Sequence, residues 1–165
     1  MKPGRERRSL LEAIEVLESI EKCFLDALAR IGTIIAAGFM PLLSVAPTAD
    51  EAKVLCRFLE SKAFCSLSDE RCYSIPNYNL EGDLLDASNY WRGPVWINTN
   101  WLLLQGLRRY GFQEKAERVK SDMIRLVKQF GFHEYFDPFE GTAYGTDNFS
   151  WTAALTLDVA LEEEA

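Results

Sequence analysis

The chain has one histidine, no CxxC pair, no GxSxG and no long apolar run, and each absence closes a class of function. A zinc centre draws on several cysteines and histidines at short spacing, so Cys23, Cys56, Cys65, Cys72 and His133 make no metal site, and none is expected. Without a nucleophile-elbow serine, His133 has no triad to serve and is expected to be a surface or supporting residue. No stretch of 18 apolar residues occurs, so no membrane span or membrane partner is expected. Basic residues are also short: 18 Lys and Arg against 25 Asp and Glu leave a net charge of −7. A surface of that sign does not displace counterions from phosphates, and nucleic acid is not an expected partner. The apolar positions after the basic start Met1–Arg8 are periodic rather than continuous, unlike a secretory leader, so a cytoplasmic location is expected. The cysteines are then expected as reduced, mostly buried thiols; a Cys65–Cys72 bridge is sterically conceivable, but nothing in the sequence supports it.

What is present is a helical pattern. Leu10, Ile14, Leu17, Ile20, Phe24 and Leu28 recur at steps of three and four and predict a first helix. A short apolar piece follows at Phe39–Val45. Thr48 or Asp50 can cap a helix over Asp50–Leu59. Lys62–Asn89 reads as a long loop, a kind more often functional than idle. Trp96–Tyr110 is apolar nearly all round and predicts a buried helix, with Pro94 in its first turn and Gly111 at a left-handed end. Gln113–Phe130 carries a stripe of Ala116, Val119, Met123, Leu126 and Phe130, with Glu114–Arg118 spaced for an outer ion pair. Residues 131–149 are irregular, and Ser150 or Asn148 can cap a last helix to about Leu161. No strand alternation of any length is seen. The expected fold is all-α, helical hairpins joined by two long loops.

Fourteen of the 20 aromatic residues fall in two stretches, 73–101 and 130–151, at loops and loop–helix junctions. They form either an aromatic core at one end of a bundle or a sugar site, where flat rings stack on pyranose faces. Arg92 stands just before a helix start, where the dipole disfavours a cation, so a carboxylate or a ligand oxygen should accommodate it. Asn98 and Asn100 lie in an apolar helix and need partners if buried. Asp137-Pro138-Phe139-Glu140-Gly141 reads as a turn stabilised by Asp137. Glu134 is flanked by Phe132, Tyr135 and Phe136, which can shield a carboxylate and make it a better base; from spacing alone an exposed loop glutamate fits equally.

Tyr90-Trp91-Arg92-Gly93-Pro94-Val95-Trp96-Ile97-Asn98, then Asn100-Trp101-Leu102, resembles the YWRGPxWxNxNW signature of inverting (α/α)6-barrel glycoside hydrolases. These are glycoside hydrolase family 63 and its relatives, including the mannosylglycerate and glucosylglycerate hydrolases. Gly131-Phe132-His133-Glu134-Tyr135-Phe136-Asp137-Pro138, Gly141 and Phe149-Ser150-Trp151-Thr152-Ala153-Ala154 resemble the ending of the same group. Gly38-Phe39-Met40-Pro41-Leu42-Leu43 and Tyr73-Ser74-Ile75-Pro76 are similar to weaker stations, so the resemblance spans about residues 24–161. It implies an inverting α-glycosidase acting on α-linked glucosyl or mannosyl substrates, with one carboxyl group protonating the leaving oxygen and another activating water. It implies Glu134 as general base, and Tyr90, Trp91, Arg92, Trp96, Asn98 and Tyr135 lining or bracing the sugar pocket. Trp151 is similar to an aromatic that closes the barrel near the base. It implies no organic cofactor.

The family's general acid, an aspartate in a G-W-D-N-S-P-like segment, has no counterpart here. Residues 1–165 are therefore expected to form a single incomplete domain, the C-terminal half of an (α/α)6-barrel glycosidase, as a partial toroid of about three hairpins. Its expected partners are a carbohydrate and an N-terminal half-barrel chain, or a second copy through self-association. The alternatives are a non-catalytic carbohydrate-binding remnant and a helical protein-interaction module.

Overall fold

A computed structural model describes residues 35–44, 46–66, 69–73 and 75–162. The helix expected over Leu10–Leu28 lies outside the described residues. The first element among the described residues is a 3-10 helix, Ala36–Leu43, with Pro41 inside it. Helix α1, Ala49–Leu59, begins at a capping box: the Glu51 amide donates to Thr48 Oγ1 and the Thr48 amide donates to the Glu51 carboxylate. Of the two expected caps, the residue in place is Thr48. Ala52, Cys56 and Leu59 form its buried stripe. The loop that follows holds a second, three-residue 3-10 turn, Lys62–Phe64.

Helix α2, Ile97–Arg109, is the centre of the packing and touches the Ala36–Leu43 turn, helix α3 (Gln113–Phe130) and helix α4 (Ser150–Leu161). Leu103, Leu104 and Leu107 are fully buried, as are Ala116, Val119, Met123 and Leu126 of the α3 stripe. Gly111 joins α2 to α3 at φ +77°, with the Phe112 amide donating to the Leu107 carbonyl, so only a residue free of Cβ strain closes the link cheaply. Along α2, Trp101 Nε1 donates to Asp158 of α4 at 2.7 Å, and in the last turn Arg108 pairs with Glu162 at 2.7 Å.

Several expectations change. Helix α2 starts at Ile97, so Pro94 lies outside its first turn. The Pro94–Trp96 segment is extended because the Pro94 carbonyl accepts from Asn77 and Val95 exchanges backbone bonds with Phe136. Those pairings also correct the strand-free reading. Strand β1, Tyr135–Phe136, pairs antiparallel with β2, Ala143–Tyr144, and isolated bridges join Pro76 to Val95 and Val95 to Phe136. Two-residue strands are too short for alternation to reveal. Helix α4 has no side-chain cap: Phe149 occupies the cap position, its amide donating to the Phe132 carbonyl, and Thr152 Oγ1 donates to the His133 carbonyl. Arg118 turns inward to Asp122 at 2.8 Å.

The thiol expectation is corrected as well. Cys65 and Cys72 form a disulfide, while Cys56 is a buried free thiol. The chain reversal between them brings the two Cα atoms to 5.8 Å, a proximity that spacing along the chain did not disclose. No helix among the described residues is long and apolar enough to cross a membrane.

Candidate active site

The two aromatic stretches meet because Val95 bridges Phe136. That contact places the residue before Trp96 beside the residue after Tyr135. Trp91, Trp96 and Tyr135 then stack in one row, with centroids 4.4 Å apart at 6° for the indoles and 5.1 Å apart at 18° for Trp96 and Tyr135. Tyr90 stands edge-on to all three, 4.8 Å from Trp96 and 5.6 Å from Tyr135. Its backbone is held at φ +37°, a conformation a bulky residue rarely adopts, and its carbonyl accepts from Trp96 Nε1 at 2.9 Å. The row continues to Tyr144, which pairs with Tyr135 across the two-stranded ladder at 6.0 Å.

Exposure divides the row by task. Trp96 is 2% exposed and covered on both faces, so it braces. Trp91 is 51% exposed and presents an indole to solvent, with Tyr90 open beside it. Asn100 anchors the row from below: its side chain accepts from the Ile75 amide and donates to the Ile75 and Trp96 carbonyls at 2.9 Å. That fully satisfied amide accounts for a polar residue at a fully buried helix position.

Glu134 precedes Tyr135 and is half-buried. Its Oε2 accepts from the Thr146 amide at 3.3 Å, and its side chain lies flat against Gly145. A Cβ on Gly145 would stand 2.5 Å from Oε2 and 2.7 Å from the Glu134 Cβ, so the glutamate takes this place only over a glycine. The link between Glu134 and Tyr135 is also electrostatic. Burial, followed by the charge of Glu134, raises the Tyr135 phenol above its usual range. Glu134 is thus held at one oxygen by a backbone amide, next to the Tyr135 phenol.

Of the expected site residues, the structure thus gathers Tyr90, Trp91, Trp96, Tyr135 and Glu134. Arg92 points to the preceding loop, where Nε donates to the Leu84 carbonyl at 3.2 Å and the guanidinium lies 3.6 Å from Asp86. The carboxylate foreseen for it is Asp86, whose own carboxyl is held below the usual range by hydrogen bonds from Ser88 and Asn89 with Arg92 behind. Asn98 is half-buried, and its side-chain oxygen accepts from the adjacent Thr99 amide. Trp151 is 56% exposed, and its ring meets Phe149 at 5.6 Å. Asp137 is the turn residue expected, its Oδ1 accepting from the Phe139 and Glu140 amides. Gly145 and Thr146 escaped notice in the sequence, since a lone glycine in a polar loop carries no mark of what it packs against, while Tyr144 was counted among the aromatics of the second stretch.

The site forms a wall rather than an enclosure. A groove of about 550 Å³ lined by Glu117, Lys120, Ile124 and Lys128 follows one face of α3 and involves none of the row. Among the described residues no group of three or more His, Cys, Asp or Glu side chains is placed to hold a metal ion.

Residues 15–152 match the mannosylglycerate hydrolase MGH1-like glycoside hydrolase domain. The mannosylglycerate hydrolase of Rubrobacter radiotolerans is 42% identical over 134 residues, which are 81% of this chain and 30% of that protein. The glucosylglycerate hydrolase of Mycolicibacterium hassiacum is 35% identical over 74% of this chain and 28% of its own. The crystal structure of the family 63 mannosylglycerate hydrolase from Thermus thermophilus, solved with Tris, superposes with a TM-score of 0.70 at 38% identity, covering 76% of this chain and 29% of that one. A glucose complex of the same enzyme gives 0.69. The chain therefore spans about 30% of the length of the relatives it matches. It is mostly helical and corresponds to part of those structures. The chain belongs to the mannosylglycerate hydrolase MGH1-like glycoside hydrolase family, of which it carries a partial domain.

Proposed function

We propose that this chain supplies the general base and one wall of the sugar pocket of an inverting α-glycosidase whose general acid lies on another segment. The observation that carries this is the convergence of Glu134 with the Trp91–Trp96–Tyr135 row. Inversion needs two carboxyl groups on opposite sides of the bond, with room for water on the base side. Glu134 supplies one of them. Trp91 and Tyr90 offer open ring surface for the apolar face of a pyranose, while Trp96 and Asn100 hold them in place. The aglycone is glycerate, by analogy with relatives named as mannosylglycerate and glucosylglycerate hydrolases. Arg92, already on Asp86, tunes the position of the Tyr90–Trp91 loop.

The test is complementation. The chain is joined to, or mixed with, a family segment that carries the G-W-D-N-S-P-like aspartate, then given α-mannosylglycerate and α-glucosylglycerate. Hydrolysis with inversion, followed by proton NMR of the released anomer, is expected. Glu134→Gln should lower kcat about 10²–10⁴-fold, the range a positioned acid–base group contributes, with KM little changed. Turnover by the chain alone would refute the placement of the acid elsewhere. Sugar binding without turnover under any complementation would make this a carbohydrate-binding remnant.

A further inference from the structure

The Cys65–Cys72 disulfide lies one residue before the strap that joins the two halves of the site. The Tyr73 amide donates to the Pro138 carbonyl at 2.7 Å, behind β1. Ile75 is clamped on both backbone groups by Asn100, and Asn77 donates to the Pro94 carbonyl at 3.0 Å. Pro76 bridges Val95, which in turn bridges Phe136. Whatever fixes residue 72 therefore fixes the layer beneath Trp96 and Tyr135.

Two cations from α3 hold the bridge. Arg118 Nη2 donates to the Asp69 and Cys72 carbonyls at 2.9 Å and approaches the Cys65 sulfur at 3.8 Å. Lys115 Nζ, fully buried, donates to the Cys65 carbonyl at 3.2 Å. A cation beside a sulfur stabilises the thiolate, which favours both thiol–disulfide exchange and the reduced form. Cys65 is also held at φ +63°, a left-handed conformation that costs a non-glycine residue, so opening the bridge has a backbone strain to release. Among the described residues the remaining thiol does not compete: burial and the nearby Glu60 push Cys56 up to about 12.

We propose that Cys65 and Cys72 form a reversible redox switch that tightens or loosens the strap under the aromatic row. Reduction breaks the Sγ–Sγ bond. A small dithiol supplies the two electrons and two protons and closes to its own disulfide, leaving two thiols. The Lys115 and Arg118 contacts remain without the covalent bond, and the backbone at Tyr73, Ile75 and Asn77 gains freedom.

The experiment equilibrates the protein in glutathione buffers of graded thiol-to-disulfide ratio, traps thiols by alkylation and counts them by mass spectrometry. A midpoint within the buffered range is expected, with Cys56 labelled only after unfolding. Hydrogen exchange then compares the dithiothreitol-reduced and reoxidised states. The Ile75, Asn77 and Val95 amides should exchange at least about tenfold faster when reduced and recover on reoxidation, with Met123 in α3 unchanged. Cys65→Ser/Cys72→Ser should show the fast rates in both buffers. A bridge that stays closed, or thiols that stay open, across the whole range overturns the switch. So does a reduction that changes exchange within residues 65–72 alone. None of these readouts depends on the glycosidase reading.

Discussion

Asn100 shows how much one side chain can carry. Its amide satisfies both backbone groups of Ile75 and shares the Trp96 carbonyl, all through direct hydrogen bonds. Alanine there leaves a buried donor and acceptor unpaired, each worth about 1–3 kcal/mol. Asn100→Ala is expected to lower unfolding stability by about 3 kcal/mol in urea titration, and a loss below about 1 kcal/mol would contradict the clamp. Lys115 works in the opposite sense. Burial, then the charge of Arg118, lowers its ammonium from 10.5 to about 8, against the pull of Glu60, Cys56 and Asp122. A folded value below the unfolded one means that the unfolded chain binds the proton more tightly between the two. Stability therefore rises with pH through that window, and the burial penalty is full below about 8. Compared with Lys115→Met, the wild type should gain on the order of 3 kcal/mol between about pH 7 and 10.5. Parallel curves in denaturant titrations across that range would refute the assignment.

At the scale of elements, the tightest joint is where α2 crosses the Ala36–Leu43 turn. A Cβ on Gly106 would stand 2.8 Å from the Leu42 Cβ and 2.9 Å from its backbone carbon. Helix propensity alone favours alanine by about 1 kcal/mol at such a position. Overpacking against backbone costs about 1–3 kcal/mol, and backbone cannot rotate aside. Gly106→Ala is thus expected to be a net loss, seen as a lower Tm by calorimetry; a raised Tm would show that the two elements separate easily. The boundaries of α3 were legible in the sequence because its apolar stripe and Gly111 are local signals. The start of α2 was legible to one residue, Trp96 expected and Ile97 observed, but the extended segment before it was not, because Pro94 obeys a backbone bond from Asn77 and Val95 one from Phe136. The same distant pairing made β1 invisible to any search for alternation.

For the whole molecule, the outer face of α4 is the telling surface. Leu157 and Leu161 are 54 and 62% exposed and one turn apart on the same side of the helix, with Trp151, 56% exposed, at its start. Apolar faces of this kind favour association. The chain alone is expected to self-associate, and Leu157→Glu/Leu161→Glu to shift it toward monomer in sedimentation velocity. A monodisperse wild-type monomer with a cooperative melt would count against this.

The sequence by itself determined the family, the helical class and the α3 boundaries, and it named five of the residues that the structure brings together, Tyr90, Trp91, Trp96, Glu134 and Tyr135. Motif identity and apolar period are local properties that need no partner to be read. Tertiary structure alone decided that Trp96 braces while Trp91 faces solvent, that Arg92 rests on Asp86, and that Glu134 lies against Gly145. It also decided that Cys65 and Cys72 are joined. Each of these depends on which distant backbone segments come within bonding distance, and short polar loops leave that choice to the packing of the helices around them.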